Sequence, residues 1–276
     1  MNSLLFNHEP FIRFGFFFGT LILMAVWEVL APRRQLQTSK SMRWFSNLGI
    51  IFTGTLLLRL LPSFSAIAAA ITVEKAGWGL LNNVPLAYWL KLVIGIAALD
   101  LAMYLQHVMF HRLPTLWRLH MVHHSDFDFD VTTGVRLHPI EILFSAGVKI
   151  IVVYSAGISA VTMLIFEVLL NAASMFIHGN VRLAVSVDRV LRLIVVTPEM
   201  HRVHHSVIIH ETNSNFGFYL PWWDRLLGTY KAQPAEGHEG MIIGLYQFRD
   251  PRWLTLPRLL ILPFIGQTSK YPKGRE

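Results

Sequence analysis

The 276-residue chain contains no cysteine. Disulfides, thiolate metal ligands and cysteine nucleophiles are therefore excluded together, and any transition-metal site must be built from histidine and carboxylate. Charge is scarce too: Asp, Glu, Lys and Arg make up 15% of the residues, against about 25% in soluble domains. Hydrophobic residues reach 53% and the mean hydropathy is +0.46, which excludes an ordinary soluble globule and implies a membrane protein. No H-E-x-x-H occurs, which removes the zincin protease arrangement, and no G-x-G-x-x-G fingerprint for a nicotinamide or flavin is present. The net charge of +7 and pI of ≈ 9.9 are read as lysine and arginine facing lipid headgroups at a cytoplasmic surface, with no nucleic-acid partner.

The apolar runs organise residues 1–276 as a single membrane domain. Residues 14–30, FGFFFGTLILMAVWEVL, are long enough to cross a bilayer and lack a small-residue cleavage site. Arg33, Arg34, Lys40 and Arg43 follow this span and only Arg13 precedes it, so the N-terminus is expected outside. Residues 46–73 return, with Arg59 and Pro62 inside the run as reasons for a bend, and Arg59 expected to snorkel or pair. A third span covers 87–107. The long run 140–178 holds Gly157 near its middle and reads as a helical hairpin that enters and leaves on one side. The expected fold class is all-α: an integral-membrane, multi-pass helical bundle with a cytoplasmic histidine-rich helical cap formed by 107–138 and 179–230. Twelve of the 24 Lys and Arg lie in the last hundred residues, and PRWLTLPRLLILPFIG is expected to lie on the membrane surface.

Histidine is the residue the chain concentrates. Ten of its thirteen histidines fall between 107 and 205, and H-x-x-H-H is written twice, as His120, His123, His124 and as His201, His204, His205. On a helix, positions i, i+3 and i+4 share a face, so each motif presents three imidazoles together. His107 and His111 add two more at i and i+4, on a stripe that begins with Asp100 and Tyr104. A carboxylate at Asp100's depth is costly, which marks it either as a partner that holds a ligating histidine or as a hydrogen-bonded structural acid. Eight imidazoles exceed the four ligands of a structural zinc and the three of a catalytic one, so the count points to two metal ions. Zinc, copper, iron and nickel all accept imidazole.

In order and spacing, HVMFH, HMVHH and HRVHH resemble the membrane fatty acid hydroxylase and sterol desaturase superfamily. The resemblance covers roughly Asp100 to Tyr230, with WWDRLLGTY similar to the segment that follows the family's last histidines. It implies a non-haem di-iron centre, two iron ions cycling between Fe2+ and Fe3+, at the cytoplasmic membrane surface. It also implies an O2-dependent enzyme that hydroxylates or desaturates a membrane lipid such as a fatty acyl chain or a sterol-like substrate. The implied ligands are His107, His111, His120, His123, His124, His201, His204 and His205. His178 in FIHGN matches a further family histidine as a ninth ligand. His138 in VRLHP, expected in an extended turn before its proline, is a candidate ligand or a partner of one. Asp100, Tyr104, Glu211 and Asn215 join it as possible extra ligands or groups that hold a ligand in place, although Glu211, Asn213 and Asn215, with His210, could equally cap helices. Asp224 either matches a family position or pairs with Arg225 or another nearby cation. His8 and His238 read as surface histidines, and Trp222 and Trp223 as interface anchors or substrate contacts. No cytochrome b5 motif accompanies these residues, so electrons are expected from NAD(P)H through a separate reductase or carrier protein.

Two other classes compete. A membrane metal transporter or metal-binding protein would hold ions in transit, with ligands spread along a path near the bilayer midplane. A bis-histidine haem carrier would need only four of the histidines and would leave H-x-x-H-H unexplained.

Overall fold

The computed structural model describes residues 8–265, and among them it is helical with no strand. Seven helices form the bundle: α1 (Glu9–Leu30), α2 (Lys40–Leu60), α3 (Ala66–Ala76), α4 (Tyr88–Arg112), α5 (Pro114–His124), α6 (Pro139–Ala156) and α7 (Ala160–Ile177). Shorter pieces follow: α8 (Val185–Leu191), α9 (Pro198–His204), α10 (Ile209–Thr212), α11 (Trp222–Leu226), α12 (Gly237–Gly240) and α13 (Leu256–Ile261). Four helices, α1, α4, α6 and α7, are long and apolar enough to cross a membrane.

Sequence signals set the helix ends. Proline stands in the first turn of α5, α6 and α9, where its missing N–H costs nothing. Ser159 caps α7 by accepting from the Thr162 N–H at 3.2 Å, and Thr197 caps α9 through the Met200 N–H at 3.3 Å. Gly157, at φ +77, ends α6 and turns the chain into α7. Its backbone lies against Gly79, where a Cβ would fall 2.2 Å from the Gly157 nitrogen, so this corner needs glycine on both sides.

The run 46–73 departs from a single expected span. It divides at Leu61 and Pro62 into α2 and α3, because proline cannot continue the hydrogen-bond ladder and a short 3-10 turn over Pro62–Phe64 takes its place. Arg59 stays exposed, with its guanidinium 5.3 Å from the Phe14 ring centre. The terminal segment turns an apolar face inward. Leu259 and Leu262 pack with Ile50, Trp117 and Met121 of α2 and α5, and Arg118 donates to the Pro263 carbonyl at 2.7 Å.

Alternating helix direction brings the ends of α1, α4 and α7 to the same side as the starts of α2 and α6, as bridging contacts such as Pro32 with Val181 attest. Every H-x-x-H-H segment lies at that end. Deep in the bundle, Glu167 of α7 meets Lys149 of α6 at 2.9 Å and Arg13 of α1 at 3.0 Å, an arrangement that compensates the cost of a carboxylate among apolar helices.

Candidate metal centre

Nine histidines from four places in the chain converge. His107 and His111 come from the last two turns of α4; His120, His123 and His124 from α5; His178 from the cap of α7; and His201, His204 and His205 from α9 and its cap. None is more than 3% exposed. They sort into two groups: His107, His111, His120, His124 and His204 in one, and His123, His178, His201 and His205 in the other. Each group has one nitrogen per ring lying within 4.8 Å of the others. The consecutive histidines of each H-x-x-H-H thus part company: His123 faces the second group and His124 the first, while His205 joins the second and His204 the first. Phe216 flanks the first group, 5.1 Å from the His111 ring, and Phe129 the second, 5.1 Å from the His205 ring.

Hydrogen bonds on the outer nitrogens fix the rings. The His107 Nδ1–H donates to the Phe216 carbonyl at 2.8 Å, that of His204 to the Ser214 carbonyl at 2.7 Å, and that of His111 to Asn213 Oδ1 at 3.3 Å. His120 donates to Glu141 Oε1 at 2.7 Å and His178 to the Ser174 carbonyl at 2.7 Å. A neutral ring with its hydrogen on Nδ1 keeps a bare lone pair on Nε2. The Nε2 atoms of His107 and His120 nevertheless stand 3.0 Å apart with both hydrogens already committed. His178 Nε2, its own hydrogen likewise on Nδ1, is faced by three ring nitrogens, His123 at 3.0 Å and His201 and His205 at 3.1 Å, and its single lone pair can accept from only one of them. Lone pairs meeting at these distances repel unless a cation lies among them. A proton is a poor cation here, because burial, reinforced by the neighbouring rings, pushes His123, His124, His201, His204 and His205 well below the usual imidazole value. Burial likewise takes His178 down to about 3. Two all-imidazole nests kept neutral by burial suit transition metals and not Mg2+ or Ca2+.

A buried charge lattice holds the loop after α5 against this centre. Arg43 of α2 grips Asp126 through Nε at 2.7 Å and Nη2 at 2.8 Å, and reaches Asp130 at 2.5 Å. Burial alone would raise Asp126, but Arg43 and Arg136 hold its carboxyl well below the ordinary carboxylate range. Arg136 donates to the Val122 carbonyl, Asn47 and Ser125, each at 2.8 Å. In D-F-D-F-D, residues 126–130, the acids bond to the α2 side while Phe129 faces His178 and His205. Glu28, near the end of α1, accepts from the Val131 and Asn180 N–H groups and so ties two histidine-bearing loops together. Gly134 lets the loop close on α7: a Cβ there would lie 2.5 Å from the Ser174 carbonyl oxygen.

The fatty acid hydroxylase family model matches residues 92–229, half of the chain, and spans every one of the nine histidines. The chain belongs to the fatty acid hydroxylase family. Among curated relatives, an ornithine lipid hydroxylase, OlsE, of Rhizobium tropici is 33% identical over 150 residues, covering 54% of this chain and 44% of its own. The alkylglycerol monooxygenase of Homo sapiens is 28% identical over 160 residues, 57% of this chain and 33% of its own, and that of Danio rerio is 27% identical over 176 residues, 62% and 37%. The chain spans less than half the length of these relatives. No solved structure matches it.

Several further candidates within this fatty acid hydroxylase domain fall outside the histidine groups. His138 lies in extended backbone before Pro139 as expected, but its Nδ1 caps α6 by accepting from the Ile140 N–H at 3.2 Å and its Nε2 faces the Leu260 carbonyl at 3.2 Å. Both nitrogens are thereby used, and the ring is a helix cap. Asp100 holds no histidine: its Oδ2 accepts from Trp223 Nε1 at 2.8 Å and from the Leu220 N–H at 3.2 Å. Tyr104 bonds Thr229 at 2.8 Å. Glu211 accepts from the Ala235 N–H at 2.6 Å. Asn215 adopts φ +51 and bonds the Met200 and Lys231 carbonyls at 2.8 Å each, so it shapes the loop whose neighbours, Ser214 and Phe216, orient His204 and His107. Asp224 accepts from the Phe216 and Gly217 N–H groups and Thr229, with Arg225 acting on it through its charge, and His238 is buried beside Glu199 at 2.9 Å instead of lying on the surface. The partners that sequence reading missed, Glu141 and three backbone carbonyls, carry no local motif; only Glu141, an acid one turn into an apolar helix, offered a signal.

Proposed function

We propose that the chain is an O2-dependent lipid hydroxylase that binds two iron ions. One would be held by His107, His111, His120, His124 and His204, the other by His123, His178, His201 and His205. The carrying observation is the pair of buried all-histidine groups whose Nε2 atoms converge at 3.0 to 3.1 Å. Iron supplies the redox capacity that an unactivated C–H bond demands and that zinc lacks. Overall, one oxygen atom of O2 enters the lipid and the other leaves as water, with two electrons and one proton supplied from NAD(P)H through a separate reductase or carrier and the second proton taken from the medium.

The chain's own residues orient and insulate. Glu141 keeps the His120 ring in one tautomer, and the carbonyls of Phe216, Ser214 and Ser174 do the same for His107, His204 and His178. Phe129 and Phe216 close the sides of the two groups and exclude water from them. The similarity to an ornithine lipid hydroxylase and to alkylglycerol monooxygenases supports a lipid with a polar head as the substrate class. The arginine and lysine excess after α1 supports a cytoplasmic centre with the N-terminus outside. Histidines gathered at one end of the bundle, instead of along a path through it, weigh against metal transport.

The test is metal analysis of the purified chain from iron-supplemented cells, followed by incubation with membrane lipids, a reducing system and isotopically labelled O2. About two irons per chain and lipid products carrying one labelled oxygen are expected. Iron-loaded protein that yields a double bond and no labelled oxygen would convert the reading to desaturation; protein that moves metal into vesicles would replace it.

A further inference from the structure

A cavity of ≈ 210 Å³ lies beside the histidine groups. One wall is a stripe of α7, Leu169, Ala172, Ala173 and Phe176, at positions i, i+3, i+4 and i+7 of a single helix face. The two alanines between bulkier neighbours leave the space. Val195, Val196, Phe218 and Tyr219 make the opposite wall, and the Val196 N–H joins its two segments by donating to the Tyr219 carbonyl at 3.0 Å. Asp100 steadies the same wall through its bonds to the Leu220 N–H and Trp223. The Phe218 ring stands 5.0 Å from the His107 ring, so the cavity ends one side chain from the first histidine group.

Apolar walls of this kind repel water and polar ligands alike. At ≈ 210 Å³ the space falls short of the roughly 300–1,000 Å³ of a whole small-molecule site, and suits one segment of a chain. Its approach is apolar too: Leu193 and Ile194, directly before Val195, are 57% and 59% exposed, and Val190 of α8 is 60% exposed. Such side chains at the end of a membrane bundle belong in the interfacial zone of the bilayer.

We propose that this cavity receives a segment of the substrate lipid's hydrocarbon chain, admitted from the bilayer past Leu193 and Ile194, and that Ala172 and Ala173 set the length of chain it accepts. The assignment rests on the lipid hydroxylase reading and gives it a specificity determinant. Filling the floor by Ala172→Phe or Ala173→Leu shortens the accepted chain; Leu169→Ala lengthens it.

The experiment uses the full chain in nanodiscs containing phosphatidylcholine with a photoreactive diazirine near the end of one acyl chain, with crosslinked peptides mapped by mass spectrometry. Wild type is expected to be labelled within 169–176 and 193–196, and Ala172→Phe to lose that label by about tenfold, the discrimination an apolar pocket gives for a small change in bulk. The product profile with mixed lipids shifts toward shorter chains in Ala172→Phe and longer ones in Leu169→Ala. Absence of label at 169–176 in the wild type overturns the proposal. So does label unchanged in Ala172→Phe and Ala173→Leu when both retain the wild-type circular dichroism and metal content. Should Ala172→Phe not fold, Leu169→Ala decides alone, by gaining or not gaining longer-chain label. Oxygenated product without cavity label defeats this inference and leaves the hydroxylase reading standing; cavity label without any oxygenated product does the reverse.

Discussion

The two histidine groups are alike in composition and unlike in support. In the five-histidine group, four outer nitrogens have protein partners: Phe216, Asn213, Glu141 and Ser214. In the four-histidine group only His178 has one, through Ser174, and the buried Nδ1 atoms of His123, His201 and His205 have none among the described residues. Outer partners fix tautomer and ring angle and raise ligand basicity. The rings of the first group are therefore mostly fixed by the protein itself, whereas three of the second would be aligned only by a bound metal. Two metals bound by one motif type should differ in how firmly they are held.

Removing His178 breaks the comparison most severely. Its Nε2 is the atom that His123, His201 and His205 all face, and His178→Ala reduces that group to three nitrogens. Metal content should fall by about one ion per chain and product formation by more than about a hundredfold, beyond the range seen for loss of an outer partner. His111→Ala leaves four nitrogens in the better-supported group, so it should keep more metal than His178→Ala while still losing turnover. Equal metal loss in the two variants, measured by elemental analysis, would erase the distinction drawn between the groups.

Glu141→Gln comes next. The amide oxygen can still accept from the His120 Nδ1–H but without charge, and metal affinity or activity should drop by about ten- to a hundredfold with the fold intact. Chelator competition resolves which ion is affected; only the more tightly held of the two should become weaker. In the wild type, the same titration should remove the four-histidine ion first.

Legibility in the sequence followed how local each relation is. The eight histidines of H-x-x-x-H and the two H-x-x-H-H motifs were readable because helical geometry forces i, i+3 and i+4 onto one face, and the hairpin was readable because Gly157 interrupts an overlong apolar run. Which histidine joins which group was not, since adjacent residues such as His123 and His124 diverge only once α5 is docked. Asp100 was legible only in part for a related reason: its depth and stripe marked it as constrained, but its partners, Trp223 and the Leu220 N–H, which make it a hydrogen-bonded structural acid, lie over a hundred residues away. Arg43, Arg136 and the acids of 126–130 read as scattered charges until packing gathers them into one buried lattice.

Acid should separate metal-free from metal-loaded protein. The folded-state values of His123, His124, His178, His201, His204 and His205 are all depressed, so between them and the ordinary value of about 6.5 the unfolded chain binds more protons. Stability contributed by neutral burial is thus fully present above pH of about 6.5 and is lost as pH falls below it, for His178 continuing to about 3. The thermal midpoint of metal-free protein in detergent should decline through this window, with more than one proton taken up on unfolding. A midpoint flat from pH 7 to about 4.5 would mean that the folded and unfolded chains take up protons alike and that neutral nests are the wrong description.

The smallest effect sharpens the comparison within the better-supported group. His111 has the longest of its outer bonds, 3.3 Å to Asn213 Oδ1, while its ring is also packed by Trp117 at 4.9 Å and Phe216 at 5.1 Å. Packing on two sides fixes the ring plane even without the amide, and a neutral bond of that length adds little beyond about 1 kcal/mol. Asn213→Ala should therefore weaken metal retention by no more than about tenfold, at the low end of outer-partner effects and below Glu141→Gln. The ordering matters more than either value. If Asn213→Ala matched Glu141→Gln in the chelator assay, hydrogen bonding of any strength would be setting ligand geometry; if it left retention untouched, aromatic packing would be holding His111, and the difference between the two histidine groups would rest on Glu141 and the backbone carbonyls of 214 and 216.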